Sequence, residues 1–569
     1  MGIFSQVLGR LSGVPPSSHT PSSHTQSTAP PRPTANAATA APPVPQPVKV
    51  RSRVKRADTS RYLSDLRAPL IKLSKRDTWT LEDAVAGTHI FGGNGSGKTT
   101  GSGQTIAKAY LRAGFGGLVM CAKPDERDNW VRYAKACGRD KHLIIISADG
   151  PWRFNFIQYE LERPGDPATR VENLLSTLMN ILEQTGRERG GGEDGGFWQQ
   201  AAELLLRNAL MVLAASQAHF SLFELQRFID TAPQDAAQAA SRDWQSSMCA
   251  KALDAARASF DAAGRTHDFE VLNNYWTVQY PSLADRTRSS VVFTLTTLLQ
   301  DLQVGTLREL FATGSNVFPE DTHEGAIILL DLPAVLNRSH AVAQTLFKVV
   351  WQQSVLRRMP DVNRHTRPVF LWADEAHFFV SPYDTSFQSL ARAARACTVY
   401  MTQNVSAYHH RLPAKNAEAV TSALLGYFQT QIFHAQADPK TIQHAQAIVG
   451  RTQVTRHNQS GSTTYGTNYG ENEGSSSGTS SSSSGDGKFS VGGQGSLNQG
   501  QSWGMSRSQT TGYATSTAVE DMLNAHHFTQ LKTGTDVERG ISEAILFRTG
   551  RTWATGRPYL QTKFTRHLK

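Results

Sequence analysis

Apolar residues in this chain gather into short unbroken runs. Thr88 to Phe91 ends in Ile90 and Phe91, and Gly117 to Met120 (GLVM), Leu143 to Ser147 (LIIIS), Gly325 to Leu332 (GAIILLDL), Val369 to Ala373 (VFLWA), Thr398 to Thr402 (TVYMT) and Gln429 to His434 (QTQIFH) follow. Runs of this length predict buried strands, and the helical periods at Glu126 to Cys137 and Ala341 to Arg358 fall between them. Strands alternating with helices predict a parallel sheet. From about Arg153 the period changes: Val171 to Thr185 and Phe197 to Ser216 repeat apolar residues every three or four positions, and Ala-rich Ala236 to Ala263 follows. The pattern predicts an α/β domain, residues 58–152 and 286–569, carrying an inserted all-α domain at 153–285. Arg187 to Gly196 (RERGGGEDGG) reads as a flexible charged loop within it.

Two stretches lack material for a core. Residues 1–57 are mostly Pro, Ser, Thr and Ala, a tether, although Ile3, Phe4, Val7, Leu8 and Leu11 share one helical face that could dock on a partner or a membrane surface. Residues 454–517 are Ser/Gly-rich, and apolar order returns at Val519 to Leu531 and Ala544 to Phe547. This second stretch is therefore an insertion within the α/β domain.

Charge changes the picture only slightly. The formal net charge is +10, but seven Lys/Arg and no acid fall in residues 1–57. A nearly balanced body is weak grounds for nucleic-acid binding. Cys121, Cys137, Cys249 and Cys397 form no C-x-x-C pair, which argues against a zinc site or a disulfide framework and fits a reducing compartment. No apolar run reaches the eighteen or so residues of a membrane span, and no secretory signal is evident.

Chemistry concentrates at Thr88 to Thr100, THIFGGNGSGKTT, which satisfies G-x-x-x-x-G-K-[ST] between a strand and a helix. Gly92, Gly93, Asn94, Gly95, Ser96, Gly97, Lys98, Thr99 and Thr100 form the expected phosphate cradle. Glycines let backbone N–H groups face phosphate oxygens, and the helix that follows adds its positive end. Lys98 is expected to reach the β/γ-phosphates of ATP, with the Thr99 hydroxyl on Mg2+. Hydrolysis also needs acids at a strand end. Asp374, with Thr99, is the candidate for holding magnesium, and Glu375 is the candidate for polarising water. Asp331 competes but has no second acid beside it. Gln403 follows TVYMT, where an amide could sense the γ-phosphate or simply form a turn; Arg392 and Arg395 are candidate arginine fingers or plain surface residues. The DEAH spelling at Asp374 to His377 suggests a helicase, but the acid pair lies 276 residues beyond Lys98 and no arginine-rich helicase segment follows, so His377 is read as structural. No H-E-x-x-H helix is present.

In order, GGNGSGKT, Lys123-Pro124, FNF at Phe154 to Phe156, FWQQAAELLL at Phe197 to Leu206, ADEAH, MTQN at Met401 to Asn404 and ADPKT at Ala437 to Thr441 resemble the type IV secretion coupling proteins of conjugative systems, within the FtsK/HerA superclass of P-loop ATPases. The resemblance covers about Thr88 to Gly450 and, more loosely, about the last fifty residues. It implies a RecA-like domain with an all-α domain, a hexameric ring, and ATP-driven delivery of DNA, nucleoprotein or effector proteins to a secretion channel. It also implies catalytic roles for Lys98, Asp374, Glu375 and Gln403. Two departures stand out. A polar tail replaces the usual membrane-spanning helices, implying anchoring by a separate membrane partner or by the Met1 to Leu11 segment, and a cytoplasmic protein, peripheral at the inner face of the membrane. Cys121-Ala122 stands where an acid commonly precedes the Lys. A HerA-like DNA translocase without a secretion channel, and a nucleotide-gated adaptor with little turnover, are the alternative functions.

Overall fold

The computed structural model describes residues 65–565 except 188–194, 217–219, 364, 413–415, 469–476, 485–487, 496–503 and 536–539. The basic tail and its apolar face at Met1 to Leu11 lie outside the described residues, as does most of the Arg187 to Gly196 loop.

Among the described residues, fifteen strands are numbered in chain order. β1 (Pro69–Lys72) and β2 (Thr78–Thr80) pair as a small antiparallel unit. The central sheet comprises β3 (Thr88–Phe91), β4 (Gly116–Met120), β5 (Leu143–Ile146), β6 (Ile327–Leu330), β7 (Val369–Ala373), β8 (Ala396–Thr402), β9 (Thr430–Phe433), β14 (Ile541–Arg548) and β15 (Tyr559–Thr565). Their order is β15-β14-β9-β3-β8-β7-β4-β6-β5. β9 through β5 in that order run parallel, and β14 and β15 extend them antiparallel at one edge. β3, β6, β7 and β8 are buried at every position. A parallel strand is covered on both faces, which is why these segments read as continuous apolar runs.

Among the described residues, helices from Phe156 to Phe311 form a strand-free stretch before β6. It contains Pro167–Arg187, Gly195–Ser216 and Asp285–Gln303, and its apolar stripes join the sheet in one core that includes Leu118 and Met120 as well as Leu174, Leu178 and Leu206. The Ala-rich segment forms three helices, Ala236–Ala239, Arg242–Gln245 and Met248–Ala262. Asp235, Ser241 and Ser247 each accept a backbone N–H at an N-cap, and each restarts the helix.

The low-complexity insertion forms an antiparallel ribbon of β10 (Arg451–Asn468) and β13 (Gly504–Asp521), in register from Arg451↔Asp521 to Asn468↔Gly504. Between them β11 (Ser477–Ser484) pairs with β12 (Lys488–Gly495). Among the described residues no helix is long and apolar enough to cross a membrane.

Candidate nucleotide site

Register assembles the site at the carboxyl ends of the parallel strands. Phe91 is level with Thr402 of β8 and Phe433 of β9, so Gly92, Gln403 and His434 leave the sheet side by side. Ala373 pairs with Tyr400, which brings Asp374 and Glu375 out of β7 one strand further along. Ligands of open α/β sheets bind at this edge.

Past β3 the chain turns back on itself. Gly92 N–H donates to the Thr402 carbonyl (3.3 Å) and Gly93 N–H to that of Ala435 (3.0 Å). A Cβ on Gly92 would lie 2.4 Å from Ser96 Oγ, and one on Gly97, at φ +91°, 2.7 Å from the Ser542 Cβ of β14. Only glycine fits these two positions. Asn94 and Gly95 are exposed, Gly93, Thr99 and Thr100 half-buried, and Ser96 buried with no hydrogen-bond partner for its hydroxyl among the described residues. Lys98–Gly103 is a π-helical turn that passes into the α-helix Gln104–Arg112. Ser102 Oγ and His434 Nε2 share a hydrogen bond of 2.7 Å beneath it.

The acid pair closes over this turn. Thr99 Oγ1 donates to Asp374 Oδ2 (2.7 Å). Lys98 Nζ lies 3.2 Å from Glu375 Oε1 and 3.9 Å from Asp374 Oδ1. Lys123 Nζ reaches the same Glu375 oxygen at 2.8 Å, and Gln403 Nε2 at 3.4 Å. Glu375 adopts φ +47°, and its N–H is held by Asp374 Oδ1 (2.9 Å). Its second oxygen, Oε2, is buried with no hydrogen-bond partner among the described residues. The nearby His377 Nδ1 is 3.8 Å from it and 3.2 Å from Thr402 Oγ1.

Electrostatics follow from this crowding. Burial raises the Glu375 pKa, but Lys98 and Lys123 outweigh it and hold the carboxyl at about 2. Burial lowers His377 to about 4 against the pull of Glu375, so the ring is neutral at physiological pH. Glu126, whose Oε2 accepts the Ala122 N–H (3.0 Å), is pushed well above the carboxylate range by burial and then by Asp374.

The structure thus brings Lys98, Thr99, Asp374, Glu375 and Gln403 together. Asp331 stays outside: β6 lies beyond β4 and β7 from the phosphate loop, and Asp331 pairs with Arg127 (2.9 Å). Arg392 and Arg395 precede β8, at the end opposite Gln403. Arg392 pairs with Glu82 (2.9 Å), and Arg395 donates to the Thr366 carbonyl (3.3 Å). Sequence reasoning missed Lys123 as a site residue, along with Glu126, His434 and Ser542. Lys123-Pro124 was a usable signal, because a Lys just past the strand beside the acid strand stands within reach of its carboxylates. Ser542 arrives from a strand more than 400 positions away in the chain and carried no local signal.

These oxygens suit a hard divalent cation. Magnesium uses few protein ligands and completes its shell with water and phosphate, and among the described residues no group of three or more His, Cys, Asp or Glu is placed to hold a metal ion. The Thr99 hydroxyl and the Asp374 carboxylate, 2.7 Å apart, fit that minimal set.

In sequence the chain matches no protein-family model and no curated protein. In structure it is similar to the bacterial conjugative coupling protein TrwBdeltaN70, unbound monoclinic form, at 13% identity and a TM-score of 0.52, covering 90% of this chain and 93% of that one. The plasmid coupling protein TrwB in complex with the non-hydrolysable GTP analogue GDPNP aligns at 13% identity and 0.50, covering 91% and 95%. TrwB in complex with ADP and Mg2+ aligns at 12% and 0.50, covering 89% and 92%. The chain therefore has the α/β P-loop fold of the conjugative coupling proteins over about nine-tenths of its length.

Proposed function

We propose that this chain is a Mg2+-dependent ATPase that works as a coupling motor, recruiting DNA, nucleoprotein or effector proteins and moving them to a type IV secretion channel. One observation carries the reading: the phosphate-loop Lys98 and Thr99, the acid pair Asp374 and Glu375, and Gln403 converge within 2.7 to 3.9 Å across three strand ends. Few arrangements besides phosphoryl transfer need a cation, a hydroxyl, two acids and an amide in that order around a glycine cradle. That TrwB structures hold GDPNP, or ADP with Mg2+, supports nucleotide as the ligand.

Each residue has a role in this reading. The backbone from Gly92 to Gly97 and Lys98 hold the phosphates, and Gln403 orients the attacking water. Glu375 takes the proton of that water as the γ-phosphoryl group passes from ADP, the leaving group, to the water oxygen. Thr99 and Asp374 would hold magnesium, which when bound neutralises phosphate charge. The motor assembles as a hexameric ring. The motor works at the cytoplasmic face of the membrane.

Steady-state ATP hydrolysis with and without single- and double-stranded DNA, together with native mass, tests the reading. DNA-stimulated turnover from a hexamer is the expected result. DNA-independent turnover from a monomer would contradict the motor.

A further inference from the structure

Lys123 lies in the segment between β4 and the helix Glu126–Ala136, and its ammonium makes the shortest contact to Glu375, 2.8 Å. We infer that Lys123 is a positioning residue that clamps Glu375 shut and must let go before Glu375 can activate water. The inference rests on Glu375 as the water-activating carboxylate.

The geometry of the carboxylate carries it. Three donors, from Lys98, Lys123 and Gln403, converge on Oε1 at 3.2, 2.8 and 3.4 Å. A carboxylate oxygen accepts about two hydrogen bonds, so Oε1 has no room left for water. The other oxygen, Oε2, is buried, and the Glu375 side chain as a whole is 2% exposed. In this arrangement neither oxygen can take a proton from an attacking water, because none can approach within the hydrogen-bond distance a general base needs.

The three donors are not equivalent. Lys98 has an alternative partner in the triphosphate, so nucleotide binding itself withdraws it. Gln403 is neutral and the most distant. Lys123 is the cation left holding the carboxylate after nucleotide arrives. Its side chain is 40% exposed, whereas that of Lys98 is 7% exposed, so Lys123 can swing into solvent without disturbing the core. Glu375 is poised to move as well, since φ +47° is a costly backbone conformation for a residue with a Cβ. A residue that merely oriented Glu375 for catalysis would have left one oxygen open toward the loop.

Hydrolysis by wild type, Lys123→Met and Lys123→Arg tests the clamp, with kcat and KM measured separately and folding checked by circular dichroism. Lys123→Met is expected to raise kcat about threefold or more with KM little changed, a split that places the effect after substrate binding. Lys123→Arg, which keeps the charge and the reach, is expected to stay near wild type. A kcat for Lys123→Met at or below wild type, with wild type active, overturns the clamp and leaves the ATPase reading intact. Turnover by Lys123→Met from a silent wild type supports the clamp. Silence in both proteins overturns the ATPase reading, and the clamp falls with it.

Discussion

Glu375 and His377 face each other across 3.8 Å, one held ionised by two lysines and the other kept neutral by burial. For His377 the consequence is a proton that the unfolded chain binds and the folded chain refuses. Its pKa drops from the ordinary 6.5 to about 4 on folding, so its contribution is present above pH 6.5 and is lost as pH falls toward 4. Over that window the loss is roughly 2–3 kcal/mol. Urea unfolding of wild type and His377→Gln at pH 7.5 and 4.5 checks this. The wild type is expected to lose more stability on acidification than the variant, and equal losses would show that the ring titrates normally in the folded protein. The glycine-rich loop and the acid pair were legible as motifs at this scale, because each is local in sequence. His377 was read as structural because the helicase spacing fails, and its place beside Thr402 and Glu375 depends on β8, which the DEAH spelling does not reveal.

At the scale of elements, the helix Arg338–Arg357 governs how the acid loop is held. Gln344, Lys348 and Gln352 recur every fourth residue, a spacing that in sequence resembles a solvated face. All three are fully buried. Gln344 Nε2 donates to the Leu332 carbonyl (2.6 Å) and its Oε1 accepts the Cys121 N–H (2.9 Å), joining the segments after β6 and β4. Lys348 Nζ donates to the Phe379 carbonyl (2.7 Å) and pairs with Asp384, which also accepts from Gln352 Nε2 (2.9 Å), Tyr400 OH (2.6 Å) and the Ser381 N–H (2.7 Å). This network pins the segment that follows Glu375. Asp384→Asn leaves a buried ammonium without its charge partner and is expected to cost about 3–5 kcal/mol. Chemical denaturation measures it, and a loss below about 1 kcal/mol would mean that Lys348 finds another partner or water. The helix itself was legible from its apolar period. The inward direction of its polar stripe was not, because polarity marks a solvated face unless the opposing strands supply partners.

For the whole molecule, the α/β class and the strand sequence were legible because parallel strands advertise themselves as apolar runs. The ribbon of β10 and β13 was not. Its Ser, Thr and Gly positions carry no apolar alternation, so neither pairing nor register is encoded on one face. Helices continue to Phe311 before the sheet resumes, and one core spans both parts, so movement at the strand ends can reach the helices through shared packing. The nine-stranded sheet exists, in this reading, to bring a phosphate cradle and a water-activating acid to one edge. Titration of Mg-ATP against wild type and Glu375→Gln, followed by single-turnover hydrolysis, tests that most directly. The expected result is comparable nucleotide affinity in both proteins with hydrolysis reduced at least 100-fold in the variant, in line with the 10²–10⁴ typical of a general base. Unchanged hydrolysis by Glu375→Gln, or no nucleotide binding by the wild type, would contradict it.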